Sequence, residues 1–251
     1  MNPALTALIV FVCLFGAALL GMRLRSRLPS HHLSAETKDA VRIGMGSVAT
    51  MAALVLGLLV SSTKEAYDVE KHEIVRISAK IVYLDQVLAN YGAEASECRA
   101  ILRESVRAAL TRIWPETNIE PSSAAPVGLW SRGLPNAIQK LVPQDSAQRT
   151  FKWQASRLAN SLGQMRWLLF EQIESSVSVP LVLIVVFWLA LTFVSVGLFA
   201  PPNSTALIAQ VMAALAVSGA IFLILELNEP FGGILRISSK PMMSVLEELG
   251  K

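Results

Sequence analysis

The chain has 251 residues, of which 53% are hydrophobic and only 16% are charged, whereas a soluble globular domain carries roughly 25% charged residues. The charges are also segregated, because none occurs in residues 1–22, 43–63 or 175–225. A hydrocarbon core about 30 Å thick needs about 20 apolar residues per helix. This pattern excludes a soluble enzyme and predicts an all-α integral membrane protein with four transmembrane helices, two of them in the third stretch.

The first uncharged stretch is predicted to be a retained transmembrane helix over about residues 4–20. A cleaved secretory signal peptide is the alternative, but such a peptide has basic residues before its apolar core. Here the first charged residue, Arg23, follows the apolar stretch. A basic connection interrupted by Pro29 then leads to the second span, which we expect over residues 43–62.

The second span is predicted to be part of one long helix. Ser34 is the expected N-cap, because its hydroxyl can accept a hydrogen bond from a free amide one turn on. Glu36 follows in the first turn, where the helix dipole favours an anion. Beyond the span, apolar residues recur every three or four positions as far as Tyr91. The helix should therefore leave the membrane without a break, occupy residues 64–91 there and end before Gly92.

Two neighbouring stripes run along the second span. Small residues at a spacing of four let helix backbones approach closely in lipid, and here they predict a helix-packing face. Its members are Ala49, Ala53 and Gly57. The second stripe lies about 100° further around the helix and contains no ionisable group. Its members are Thr50, Leu54 and Leu58.

Residues 62–176 are predicted to form an extramembrane helical domain between spans two and three. Its expected helices cover residues 64–91, 95–113 and 145–175. A proline-rich surface loop over 115–143 separates the last two. The apolar seams of the first and last helices should bury against each other as an antiparallel pair, or against neighbouring subunits. Trp114 and Trp130 are expected in core or rim packing, at a membrane interface, or as caps of the helices.

The third uncharged stretch is predicted to be a transmembrane hairpin. Its spans are expected over about residues 177–199 and 204–225, joined by a turn of four residues. Glu226 and Glu229 follow, and we expect both in a solvated interfacial position. The chain is thus expected to consist of two spans, the helical domain, the hairpin and a C-terminal tail. Their ranges are 1–61, 62–176, 177–226 and 227–251.

The sequence holds no set of residues typical of a metal site or of a disulfide framework. Cys13 lies inside the first span and Cys98 in the polar middle segment, so we expect two unreactive free thiols. His31, His32 and His72 lack the HExxH or CxxC spacing of a zinc site. We therefore expect no metal and no cofactor.

Enzymatic activity is not expected either, and no catalytic residue is assigned. Ser195 and Ser218 are the candidate nucleophiles within the spans, and neither has an ionisable partner there. The net charge of +3 arises in the connection from Arg23 to Arg42, which holds five basic and two acidic residues. Such a surplus does not form the clustered basic face of a nucleic-acid-binding protein, so no nucleic-acid partner is expected.

The charge pattern leaves two orientations in the membrane open. The positive-inside rule applies to short loops, and the arginines after the first span favour a cytoplasmic first connection, with residues 61–174 outside. The alternative places that segment in the cytoplasm, where Lys64, Lys71, Arg76 and Lys80 would flank the second span.

Three motifs stand out along the chain. They are Leu28-Pro29-Ser30-His31-His32 leading into Gly46-Ser47-Val48-Ala49-Thr50-Met51-Ala52-Ala53-Leu54-Val55-Leu56-Gly57, then Gly197-Leu198-Phe199-Ala200-Pro201, then Glu229-Pro230-Phe231-Gly232. Together they resemble the bacterial bestrophin-like membrane proteins of unknown function. The resemblance covers nearly the whole chain, and its first and last motifs are specific.

The resemblance extends more remotely to bestrophins, which are pentameric anion channels. It implies a homo-oligomer, by analogy a pentamer, in the lipid bilayer of the cell (inner) membrane, with both termini and the middle domain in the cytoplasm. Bestrophins line their pore with the second span and carry a Pro-Phe-Gly motif after the fourth. On this match Leu54 and Leu58 occupy neck positions, with Thr50 one turn away, and a ring of such side chains can gate by dewetting.

Two departures from bestrophins bear on function. Bestrophins place aromatic residues at the neck positions where this chain has leucines, so anion selectivity does not follow from the neck. Calcium-regulated bestrophins follow Pro-Phe-Gly with an acidic cluster, whereas Gly233-Ile234-Leu235-Arg236-Ile237 follows here. A calcium clasp is therefore not expected.

Two functions fit these features. The first is an oligomeric bestrophin-like channel that conducts anions through a pore lined by the second span. The alternative is a non-conducting membrane scaffold whose helical domain binds a protein partner.

Overall fold

The structure is a computed structural model that describes residues 2–29, 34–117, 133–172, 179–201 and 203–249. His31, His32 and Trp130 lie outside these ranges. Within them the chain forms α-helices and no β-strand. In chain order the helices are α1 (Pro3–Arg25), α2 (Ala35–Tyr91), α3 (Ser96–Ile113), α4 (Leu134–Lys140), α5 (Ser146–Gln172), α6 (Val179–Phe199), α7 (Ser204–Leu227) and α8 (Lys240–Glu248).

Four of these helices, α1, α2, α6 and α7, are long and apolar enough to cross a membrane. Local capping sets the start of two of them. Asn2 accepts a hydrogen bond from the amide of Ala4 at 3.1 Å, and Pro3 occupies the first turn, where its missing N–H costs nothing. Asn203 likewise accepts from the amide of Ala206 at 2.8 Å and begins α7. The predicted all-α fold with four spans is confirmed.

The long helix predicted from the sequence is α2. The Ser34 hydroxyl accepts a hydrogen bond from the amide of Thr37 at 3.3 Å, so its role as N-cap is confirmed. The helix continues without a break from Ala35 to Tyr91. It is followed by Gly92, whose φ of 120° is a conformation that side-chain-bearing residues rarely adopt.

The chain divides into two compact units. The first, which we call the membrane unit, consists of Met1–Tyr67 and Ser176–Leu235. The second, which we call the helical unit, consists of Asp68–Ser175 and Arg236–Lys251. Residues 227–251, expected from the sequence as one tail, are therefore shared between the two units.

The core of the membrane unit is built by all four spans, and α1 packs against both α6 and α7. Its buried side chains are apolar and come from one face of each helix. They are Val10, Leu14 and Ala18 of α1, Ala52 and Leu59 of α2, Val185, Leu189 and Phe193 of α6, and Ala214, Ile221 and Ile224 of α7. These residues orient α2 within the unit and so determine which of its faces is left uncovered.

Two glycines bring α1 and α6 close together. A Cβ added at Gly21 would collide with the backbone of Val194, and one added at Gly197 would collide with the backbone of Ala18. Close approach of this kind is a main source of helix association in lipid, where burial from water provides no driving force. Glycines at both positions therefore hold this helix pair together.

The apolar seam beyond the second span is buried in the helical unit, as predicted. Its members are Ile74, Ile77, Ile81, Leu84, Leu88 and Tyr91. α5 runs antiparallel to this part of α2, because Lys80 donates to Ser161 at 2.6 Å while Gln148 donates to the carbonyl of Tyr91 at 3.0 Å. The predicted antiparallel pair is confirmed.

A partly buried ion pair joins α3 to α2 within the helical unit. Nε and Nη2 of Arg99 donate to the two carboxylate oxygens of Asp85, each at 2.8 Å. This two-bond geometry suits a guanidinium and a carboxylate. The hydrogen bonds to Asp85 raise the pKa of Arg99 above its ordinary value, and the pair ties the two helices together.

The loop expected over residues 115–143 contains a helix that was not predicted from the sequence. Pro135 lies in the first turn of α4, and Leu134, Ala137 and Ile138 are buried. The helix has only seven residues. Its three apolar positions form too short a pattern to indicate a helix among nearby prolines. The expectation of a continuous loop was therefore wrong for Leu134–Lys140.

Trp114 packs in the core of the helical unit, which supports the first of its expected positions. It is buried, and its Nε1 donates to the carbonyl of Ile237 at 2.9 Å. The neighbouring Arg236 pairs with Glu116. These contacts fasten the second part of the tail to the segment that follows α3.

Candidate functional site

The stripe formed by Thr50, Leu54 and Leu58 lies on the uncovered face of α2. Leu54 and Leu58 are each 63% exposed, and Thr50 is exposed as well. The opposite face carries Ala52 and Leu59, which are 0% and 8% exposed in the core of the membrane unit. A single chain therefore leaves a continuous polar and apolar stripe free for lipid, another subunit or a pore.

The predicted helix-packing face of α2 is only partly used within the chain. Ala49 is half-buried, whereas Ala53 and Gly57 are exposed. A Cβ added at Gly57 would meet nothing within 4 Å, in contrast to Gly21 in α1. Packing of this face against a neighbouring subunit remains a prediction.

The hydroxyl groups of α2 bond back to the helix. Thr50 Oγ1 donates to the carbonyl of Gly46 at 2.9 Å, and Ser47 Oγ donates to the carbonyl of Ile43 at 3.3 Å. Such back-bonding uses the hydroxyl hydrogen inside the helix. An anion accepts hydrogen bonds, so in this geometry neither hydroxyl offers it a donor.

Glu226, near the end of α7, binds the first part of the tail. The residue is only 2% exposed, and its Oε1 accepts hydrogen bonds from the amides of Ile234 and Leu235, the latter at 3.1 Å. A carboxylate at the C-terminal end of a helix is unfavourable because of the helix dipole. The two amide donors compensate for this. The expected solvated position was therefore wrong for Glu226.

The turn held by Glu226 contains the Pro-Phe-Gly motif. Gly232 donates its amide to the carbonyl of Glu229 at 3.0 Å, which tightens the turn. Gly233 follows with a φ of 65°, and a Cβ added there would run into the carboxylate of Glu226. Glycine is thus required for both the backbone conformation and the space.

Pro230, Phe231 and Gly232 thus lie in a turn beside a buried acid. No residue type in the sequence indicates this turn, because the partners of Glu226 are backbone amides. A family model described as a Bestrophin-like domain matches residues 12–242. The chain belongs to the bestrophin-like family.

The bestrophin-like family was also the one indicated by the motifs of the sequence, so that prediction is confirmed. Comparison with curated proteins gave no match, and neither did comparison with solved structures. With four apolar helices, this bestrophin-like chain is a multi-pass membrane protein in contact with the lipid bilayer.

The remaining candidate residues of this bestrophin-like protein show no shared site. Ser218 is buried, and its hydroxyl donates to the carbonyl of Leu215 at 3.0 Å. His72 is exposed. In the part of the chain that the structure describes, no three His, Cys, Asp or Glu residues are grouped so that they could hold a metal ion.

The two cysteines are free and lie in different surroundings. Cys13 is exposed on α1, and Cys98 is buried in the helical unit. Burial, and secondarily the charge of Glu97, raises the pKa of the Cys98 thiol above its ordinary value. A neutral, covered thiol is a poor nucleophile, which suits a packing role.

Proposed function

We propose that this bestrophin-like protein is an oligomeric membrane channel that conducts anions through a pore lined by α2. The observation that carries the proposal is the uncovered stripe of Thr50, Leu54 and Leu58, opposite a face that is anchored in the core. The remote resemblance to bestrophins supports the same helix as the pore helix and a pentamer as the assembly. No catalytic step is part of the proposal.

The two leucines supply the proposed neck. Leu54 and Leu58 are four positions apart, so their side chains lie one above the other on one helix face. Copies of α2 around a common axis would form two adjacent apolar rings. Such rings gate by dewetting, because a narrow apolar constriction expels water and the hydrated ion with it.

The proposed preference for anions has its source at the basic end of the membrane unit. The hydroxyl hydrogens of Ser47 and Thr50 are used within α2, so they do not favour an anion. The connection from Arg23 to Arg42, in contrast, has five basic residues against two acidic ones. A surplus of positive charge at a pore entrance raises the local anion concentration.

Planar bilayers containing the purified protein would test the proposal. The double substitution Leu54→Ala and Leu58→Ala widens the neck and should raise the unitary conductance under a salt gradient. The matched control is Leu8→Ala with Leu183→Ala. These two leucines are 58% and 63% exposed on α1 and α6, and their truncation should leave the current unchanged.

Failure to observe current would reject the channel. If the wild type and both double variants are silent in every salt gradient, the second candidate, a scaffold, is favoured. That candidate has its own support in the helical unit, where several large apolar side chains of the described residues are half exposed or more; three of them are on α2 and α5. They are Val75 at 50%, Tyr83 at 51% and Trp153 at 59%.

A further inference from the structure

A cavity of about 410 Å³ lies in the membrane unit between α2 and α6. Lys38 and Arg42 line it from α2, and Thr192 and Ser195 line it from α6. It lies at the end of the spans, because Arg42 directly precedes the uncharged stretch of α2 and Pro201 follows α6. The cavity is therefore at the depth of lipid headgroups rather than at the bilayer centre.

Among the described residues, the two cations of the cavity have no acidic partner. Lys38 and Arg42 are four residues apart and lie on the same face of α2, where like charges destabilise a helix. Neither forms an ion pair with a carboxylate among the residues that the structure describes. An anion held between them would relieve this repulsion and form charge-assisted hydrogen bonds with both.

The remaining walls suit a ligand that is anionic at one end and apolar at the other. Thr192 donates its hydroxyl hydrogen to the carbonyl of Trp188 at 3.0 Å. Ser195 forms no hydrogen bond with a described residue, so its hydroxyl is available as a donor. Apolar side chains complete the lining. They are Met45, Val196 and Phe199.

We propose that this cavity binds the phosphate group of an acidic phospholipid. Lys38 and Arg42 pair with the phosphate oxygens, Ser195 donates a hydrogen bond, and an acyl chain lies along the apolar wall. Basic pockets between transmembrane helices are suited to such headgroups. Every residue of the proposed site belongs to the membrane unit of one chain. Lipid binding there therefore does not require the protein to conduct ions.

Native mass spectrometry of the protein with added phosphatidylglycerol tests whether the charges of Lys38 and Arg42 bind the lipid. The double substitution Lys38→Gln and Arg42→Gln should weaken binding about 30-fold, or roughly five-fold for each charge removed. Arg23→Gln with Arg27→Gln removes the same charge from exposed positions outside the cavity. This control should bind the lipid as the wild type does.

A substitution that fills the cavity but keeps both of its charges tests whether the lipid occupies that space. Gly46 lines the cavity, and a Cβ added there meets nothing within 4 Å, so Gly46→Leu should fold and block the lipid. Gly44 has equally open surroundings but does not line the cavity, and Gly44→Leu should retain the lipid. Equal phosphatidylglycerol binding by the charge variant and its control would overturn the proposal.

The source of the phosphate is decided by a separate measurement. Inorganic phosphate added to lipid-depleted protein in detergent can be followed by phosphorus NMR. Weak binding of inorganic phosphate beside strong retention of phosphatidylglycerol supports the phospholipid. Tight binding of inorganic phosphate that is lost in the Lys38→Gln and Arg42→Gln variant, without retention of lipid, overturns the phospholipid and assigns the cavity to free phosphate.

Discussion

Replacing Glu226 with alanine should release the first part of the tail from the end of α7. The carboxylate is 2% exposed and accepts the amides of Ile234 and Leu235. Hydrogen bonds to a charged group contribute about 1.5–3 kcal/mol each. Because both donor residues are exposed, water can satisfy their amides after the substitution, so we expect a local loss of about 3 kcal/mol, the lower end of the range for two bonds.

Hydrogen–deuterium exchange of the tail measures this loss directly. At about 1.4 kcal/mol per factor of ten, exchange of the two amides should become roughly 100-fold faster in Glu226→Ala. Glu226→Gln keeps an acceptor oxygen but not the charge, and neutral hydrogen bonds are about half as strong. Its amides should therefore exchange roughly ten-fold faster than in the wild type.

The control is Glu247→Ala, which removes an exposed carboxylate from α8. Tail exchange in this variant should equal that of the wild type. If Glu226→Ala exchanged within a factor of about two of the wild type, the carboxylate would not hold the turn, and its burial would need another explanation.

Two further predictions concern the close helix packing at Gly197 and the burial of Cys98. Gly197→Ala should lower the thermal midpoint in detergent, because its Cβ meets the backbone of Ala18 and overpacking costs about 1–3 kcal/mol. Gly219→Ala, where a Cβ meets nothing within 4 Å, should not; equal midpoints would contradict the packing argument. Cys98 should resist a water-soluble maleimide near neutral pH, because burial raises its thiol pKa and lowers the thiolate fraction. Labelling measured by mass in a Cys13→Ser background should begin only on unfolding, and rapid labelling of folded protein would contradict this.

The helices of this protein could be predicted where their signals are local. Ser34 and Glu36 mark the start of α2 within three residues, and no proline occurs between them and Gly92. The spacing of apolar residues every three or four positions continues from the uncharged residues 43–63 into the charged stretch that follows. A continuous helix from Ala35 to Tyr91 was therefore readable from neighbouring residues alone.

Features made by contacts between distant residues could not be predicted. Gly21 is an unremarkable glycine in α1 until Val194 of α6 lies against it. Glu226 resembled any acid at the end of a span, because its partners Ile234 and Leu235 offer backbone amides, which every residue other than proline has. In both cases the type of residue does not indicate which distant residue it contacts.

The stripe on α2 was predictable as a pattern, but its surroundings were not. A lipid tail is as apolar as leucine, so Leu54 and Leu58 suit lipid, a packed helix and a pore neck equally. Thr50 does not distinguish them, because its bond to the carbonyl of Gly46 satisfies the hydroxyl in each setting. The proposed neck and the proposed anion preference thus have separate origins. Truncating the leucines should change conductance and leave the reversal potential unchanged, since that potential depends on the basic connection.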